Sequence, residues 1–266
     1  MHKYSFAQQA PLSIISYKLL LPVTFLLLST LLIKPVQAKS LYEKYHTFFS
    51  NFYLSDIPLK DAGKIIASSK GQALVSSGDT VYVSKTNETS FYYIFSHINR
   101  IPYAKGKYDY IFKYLGKAKF ISNYQGTLVM SIMNITQEIN IGDHALPSDL
   151  VQTKLPNDEI VADSNISGEV TQLEGEADFA GTYQSVLINT GQSAGLKMGM
   201  RVYFESPAKK VDGYAIPGQF LGQGFVYRLA SHHAIALVTN AKQEVMIGST
   251  VLTQLSKHHD HVKHEL

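Results

Sequence analysis

The stretch "VSSGDTVYV", residues 75–83, decides how the chain is read. A Gly-Asp-Thr turn can hand the chain to a helix or to another strand, and the apolar spacing after it separates the two. Val81 and Val83 lie two apart, Tyr82 faces the other way, and "SKTNETS" follows as a turn. A helix repeats its apolar residues every three or four positions and a strand every two. The turn therefore opens a strand.

The same texture continues on both sides. "KIIAS", "ALVS", "SFYYIF", "DYIFKYLG", "TLVMSIM" and "QEINIG" are short runs rich in Val, Ile, Tyr and Phe, punctuated by Gly, Asn and Ser. It returns after residue 166 as "SGEVTQLEG", "YQSVLINT", "MRVYFES", "FLGQGFVYRLA", "HAIALVTN" and "EVMIGSTVLT". Residues 149–165 follow no clean period and read as a linker. The expected fold is mostly β: two related small barrel-like or sandwich-like domains in tandem, over 61–148 and 166–254.

The two halves resemble one another. At a constant offset of 106, residues 114–146 lie over 220–252 with eight identical pairs, among them Gly116/Gly222, Gln137/Gln243, Glu138/Glu244 and Gly142/Gly248. A duplicated β-unit accounts for that order. In the recurring "QE-apolar-x-IG", the apolar residue and the Ile share a strand face, and Gly142 or Gly248 supplies a turn with positive φ. Glu138 and Glu244 sit at equivalent points of two copies, which separates them rather than pairing them for acid–base chemistry. Upstream, "GDTVYV" meets "GMRVYF" at an offset of 121, which gives the first copy about fifteen extra residues around "FSHINRIPYAKGKYD".

The ends carry different signals. "LLLPVTFLLLSTLLI", residues 19–33, is an uncharged run shorter than the ~20 residues of a usual membrane span, after a lead with three basic residues. Val36 and Ala38 then stand as the small −3 and −1 residues of a signal-peptidase site, so residues 1–38 read as a signal peptide cleaved after Ala38, exporting the chain to the periplasm. That segment would be its only link to a membrane. "SLYEKYHTFFSNFYL" spaces Leu41, Tyr45, Phe48, Phe49 and Phe52 as an amphipathic helix within 39–60 that packs on the β-region. Residues 255–266 form a His-rich flexible tail in which His258, His259, His261 and His264 are weak metal candidates.

Composition narrows the chemistry. There is no cysteine, which excludes disulfides, thiol nucleophiles, Cys-built zinc sites and a lipobox. A net charge of +3 permits contact with anionic polymers without calling for nucleic acid. "GQSAG", residues 191–195, fits Gly-x-Ser-x-Gly with Ser193 as the nucleophile of a serine hydrolase. That elbow needs a helix after the serine, whereas "LKMGMRVYF" alternates like a strand. The stretch reads instead as a glycine-rich turn around Gly195, leaving no catalytic residue and no cofactor. "YAKGKYDYIFKYLGKAKF", residues 103–120, interleaves aromatics with lysines; Tyr108, Tyr110, Phe112 and Tyr114 share one strand face. Because only the first copy carries this insert, Tyr103, Lys105, Lys107 and Tyr108 are the candidate contact surface.

"KIIASSKGQALVSSGDTVYV", "YLGKAKF", "TQEINIGDHALP", "VLINTGQSAGLKMGMRVYF" and "EVMIGSTVL" resemble, in order, the β-region downstream of the LysM module in proteobacterial LysM peptidoglycan-binding proteins. The resemblance spans roughly residues 57–253. The opening Gly-Asp-Thr is not itself a LysM start, since that turn caps a helix in the module, and about twenty residues ahead of the β-region are too few to hold one. The resemblance implies a non-enzymatic envelope protein that binds or scaffolds near peptidoglycan or an envelope protein complex.

Overall fold

The structure, a computed structural model, describes residues 39–56, 62–84, 86–96, 99–151, 154–175, 177–257 and 259. The expected signal peptide lies outside the described residues. Residues 40–266 fall into one compact unit.

The chain enters through a helix, α1 (Leu41–Tyr45), closed by a capping box in which Ser40 Oγ accepts from the Glu43 amide and Glu43 accepts from the Ser40 amide. Among the described residues of 39–60, the expected helix is limited to this turn and a 3-10 turn, His46–Phe48. Phe52–Ser55 is a strand, β1. The pattern misleads here because β1 pairs residue for residue with a later strand, and cross-strand pairing outweighs a weak helical period.

Next come β2 (Gly63–Ser68), β3 (Leu74–Val75), β4 (Thr80–Val83), β5 (Phe91–Phe95), β6 (Asn99–Ala104), β7 (Lys107–Tyr124), β8 (Thr127–Ile135), β9 (Ile139–Asn140) and β10 (His144–Pro147). The order β7-β5-β10-β2-β4-β8, with β8 paired back on β7, closes a six-stranded antiparallel barrel. The second set is β11 (Ser167–Leu173), β12 (Ser185–Ile188), β13 (Arg201–Glu205), β14 (Lys209–Val211), β15 (Tyr214–Ile216), β16 (Phe220–Leu229), β17 (Ala234–Ala241) and β18 (Thr250–Leu252). It closes in the same order, β16-β13-β18-β11-β12-β17. Closure removes the open edges of both barrels. Their interiors are filled by alternate residues such as Ile65, Val81, Tyr92 and Met130 in the first and Val170, Val186, Phe204 and Val226 in the second.

The repeat holds at the level of single hydrogen bonds. Gly116 pairs with Ile135 and Lys117 with Asn134, then the register shifts. Gly222 pairs with Ala241 and Gln223 with Asn240, then shifts at the same place. A Cβ on Gly116 or on Gly222 would run into the Asn134 or Asn240 carbonyl, so both bulges demand glycine. Gly142 (φ +106°) and Gly248 (φ +87°) occupy equivalent turns and donate to Ile65 and Val170 at 2.8 Å each.

The opening stretch has a different twin from the expected one. Residues 75–83 correspond to 180–188, "AGTYQSVLI", at an offset of 105. Ser76 N donates to Asp79 Oδ2 at 2.8 Å as Gly181 N donates to Gln184 Oε1 at 2.6 Å. Gly78 and Tyr183, both at positive φ, donate to Ile132 O and Val238 O. "GMRVYF" instead leads into β13, the counterpart of β5. The first copy is therefore only four residues longer between Ile94 and Gly116 than the second is between Phe204 and Gly222. The second copy carries its own hairpin there, β14–β15, so a hairpin at this connection is common to both copies. The sequence hid this because 75–83 and 180–188 share one identity, Val81/Val186, while hydrogen-bond roles persist through changed side chains.

Candidate functional site: the seam between the barrels

β7 is long because it does two jobs. Its second half completes the first barrel; its first half leaves the barrel and pairs with β6 on one side and β1 on the other. In this small sheet, Phe112 and Tyr114 turn toward Tyr53 of β1 and Phe95 of β5. Asp109 and Ile111 alternate onto the opposite face, toward the second barrel. There Leu54 and Ile111 pack against Leu187, Phe225, Tyr227, Ile235 and Leu237, residues pointing outward from β12, β16 and β17. Tyr45 and Phe49, from α1 and the turn after it, complete this cluster.

The polar centre of the seam is Asp109, which has no solvent exposure. Its Oδ2 accepts from the His232 amide at 2.9 Å and lies 2.9 Å from His233 Nδ1. Its Oδ1 stands 3.9 Å from His232 Nδ1, and among the described residues neither of those atoms has a hydrogen-bond partner. Asp56 Oδ2 accepts from Ser231 Oγ at 2.6 Å. Two carboxylates, Asp56 just after β1 and Asp109 in the part of β7 that has left the first barrel, thus hold the 231–233 turn of the second. A buried carboxylate is tolerated only when such partners replace its water.

Farther in, Tyr227 OH bonds with Ser50 Oγ at 2.7 Å and Ser185 Oγ at 2.9 Å. Burial raises its pKa above the usual tyrosine value. The Arg228 guanidinium lies 4.2 Å from the Tyr53 ring. Burial lowers its pKa, against the opposing pull of Tyr53 and Tyr227; burial also raises that of Tyr53.

Of the expected surface residues, Tyr103 reaches the seam: its ring stacks on His232 with centroids 3.5 Å apart and planes at 8°. Lys105 and Lys107 are exposed at the hairpin tip. Tyr108 is half-buried, with the Arg100 guanidinium 5.6 Å from its ring. The hairpin is thus divided, with one face committed to the second barrel and only its tip and edge open.

Beside the stack opens a cleft of about 300 Å³ lined by Tyr103, His232, Ser231, Gly191 and Ser193. Ser193 sits in a single 3-10 turn, Gln192–Ala194, ended by Gly195 at φ +96°, and a strand follows rather than a helix. Its amide donates to Ser231 O at 2.8 Å. Among the described residues no hydrogen bond joins Ser193 Oγ to a histidine.

The C-terminal histidines divide. His258, His261 and His264 lie outside the described residues. His259 is not part of a loose tail: it is 9% exposed, near Phe220, with Nε2 2.9 Å from Gly218 O. Among the described residues no three metal-capable side chains cluster.

No protein-family model matches the sequence, and no curated protein matches it significantly. The seam residues Asp109, His232, His233, Asp56 and Arg228 escaped the sequence reading. One signal did mark their neighbourhood. Within "FVYRLASHHAIALV", the runs "FVY" and "AIALV" are apolar at consecutive positions, the mark of strands buried on both faces, and so of a barrel wall covered from outside.

Proposed function

We propose that this is an exported bacterial cell-envelope protein that binds or scaffolds and has no catalytic role. Its partner is peptidoglycan or a protein complex of the periplasm. The observation that carries the reading is the seam. The chain's buried polar groups, Asp109 with the 231–233 turn and Tyr227 with Ser50 and Ser185, hold two closed barrels as one body. Such an arrangement presents surfaces at fixed separation, as a scaffold requires. The likeness to the β-region of LysM proteins supports the envelope setting. The contact surface assigned to the partner is the rim of the Tyr103–His232 cleft with Lys105 and Lys107 beside it, where a stacked aromatic and two ammonium groups suit a glycan or an anionic protein face. Pulldown of the exported chain with purified sacculi, and separately with envelope extract, tests this. Retention that is lost in Tyr103→Ala with Lys105→Glu supports it; no retention on either bait overturns it.

One observation favours a second reading. Ser193 and His232 line the same cleft, which is the placement a serine hydrolase needs before substrate draws them together. A fluorophosphonate probe decides. Labelling abolished by Ser193→Ala would install the hydrolase, and absence of labelling removes it.

A further inference from the structure

Among the described residues, the hairpin between the third and fourth strands of the first barrel is docked and its twin in the second barrel is not. All six strand residues of β14 and β15 are exposed, with Tyr214 at 76% and Val211 at 53%. Next to it runs a groove of about 730 Å³ lined by Ile216, Leu221, Met246 and Ile247, with Lys209 and Glu244 on its wall. Apolar exposure gathered at one place, rather than scattered singly, marks an interaction surface.

The receiving face has a twin as well. By strand register, Leu187, Phe225, Tyr227, Ile235 and Leu237 on the second barrel correspond to Tyr82, Lys119, Ile121, Val129 and Ser131 on the first. On the second barrel this face is covered. On the first it is open, with Ile121 at 53% and the neighbouring Tyr124 and Met133 at 68% and 49%. A duplicated fold that joins its two copies by one asymmetric contact leaves one hairpin unmatched at one end and one face unmatched at the other.

We propose that the protein associates with further copies of itself head to tail. The β14–β15 hairpin of one copy docks on the outer face of β4, β7 and β8 of the next, repeating between chains the contact made within each chain. The two surfaces differ, so the contact is heterologous and leads to a ring or a filament rather than a closed pair. It is weaker than the internal seam. The first barrel has Lys119 where the second has Phe225, and Gly126 and Thr127 stand where His232 and His233 receive the latch. Association is therefore reversible and concentration-dependent, and it is independent of whether the protein binds the wall.

Sedimentation velocity on residues 40–266, over roughly 1–100 µM where weak contacts populate, tests the idea. The expected result is a mass that rises with concentration beyond two chains. Tyr214→Glu blocks the hairpin and Ile121→Lys blocks the face. Each alone should remain monomeric with an unchanged thermal transition, since both side chains are exposed. An equimolar mixture of the two should form a dimer and stop there, because one open hairpin then meets one open face. A wild-type chain that stays monomeric throughout, a single variant that still associates, or a mixture that stays monomeric overturns the proposal.

Discussion

At the scale of single residues, glycines do two distinct kinds of work that a sequence repeat cannot tell apart. Gly116 and Gly222 are required by close approach, their missing side chains making room for a carbonyl across the bulge. Gly142 and Gly248 are required by positive φ; among the described residues a Cβ there would meet only Lys64 Cε at 3.6 Å or Glu169 Oε1 at 3.7 Å. Ala at position 142 or 248 should therefore cost about 1–2 kcal/mol of backbone strain. Ala at position 116 or 222 should cost more, because strand and bulge must move as well; chemical unfolding of the four variants gives the order. Asp79 supports a prediction of another kind. Lys70, 2.5 Å away, and then the Ser76 amide hold its carboxyl below its ordinary value. The folded pKa is depressed, so this stability is present above the unfolded value near 3.8 and drains away as pH falls through the folded one. The stability gap between wild type and Asp79→Asn should be constant near neutrality and shrink on acidification below pH 4. A gap that grows with acid would contradict the assignment.

At the scale of elements, the β6–β7 hairpin reads differently in place than in sequence. As text it is a Lys/Tyr insert that a barrel could do without. In the fold it carries Asp109 and Ile111 to the second barrel, and its removal would strip the seam. Asp109→Asn keeps the shape but loses the charge on hydrogen bonds worth about 1.5–3 kcal/mol each, and should lower stability by an amount of that order. Asp109→Ala, which orphans the 231–233 turn, should go further and split a single calorimetric transition into two as the barrels lose their coupling. One unbroken transition in Asp109→Ala would show that the apolar cluster alone couples them. The same element shows why the strands were legible and the seam was not. Alternation in "TLVMSIM" reports a half-exposed wall directly, because side-chain period and burial share one axis. Asp109 meets His232 and His233 across more than a hundred residues, and no local period encodes that. Only the consecutive apolar residues within β12, β16 and β17, such as "VLI", "FVY" and "AIALV", hinted that something lies over them.

At the scale of the whole molecule, the duplication was readable where the fold constrains backbone geometry and unreadable where it does not. The β7–β8 and β16–β17 bulges keep their glycines, so the offset of 106 is visible in the letters. The Asp79 turn and its Gln184 counterpart keep only a hydrogen bond, which a Gln supplies as well as an Asp, so the alignment there slid onto "GMRVYF". Tyr183 shows the same drift: it holds positive φ where the first copy has Gly78, and its ring stacks on Phe48 at 4.1 Å. Tyr183→Gly should relieve the backbone yet lose the stack, for a net change within about 1 kcal/mol, measurable as a small shift in melting temperature.

Ser50 bonds to Tyr227 across 177 residues, and that separation turns the fold into a clock. A chain made from its first residue onward at about 5–20 residues per second would hold its N-terminal aromatics without their partners for roughly ten to thirty-five seconds. Tyr45 and Phe49 cannot settle until β16 has emerged, although the first barrel can close well before then. The opening segment is thus the last piece to find its place, and until it does the molecule keeps a pliant, protease-sensitive front end. Purified chains truncated before residue 220 should be clipped within residues 41–51 while their first barrel resists, and chains ending after residue 255 should resist at both places.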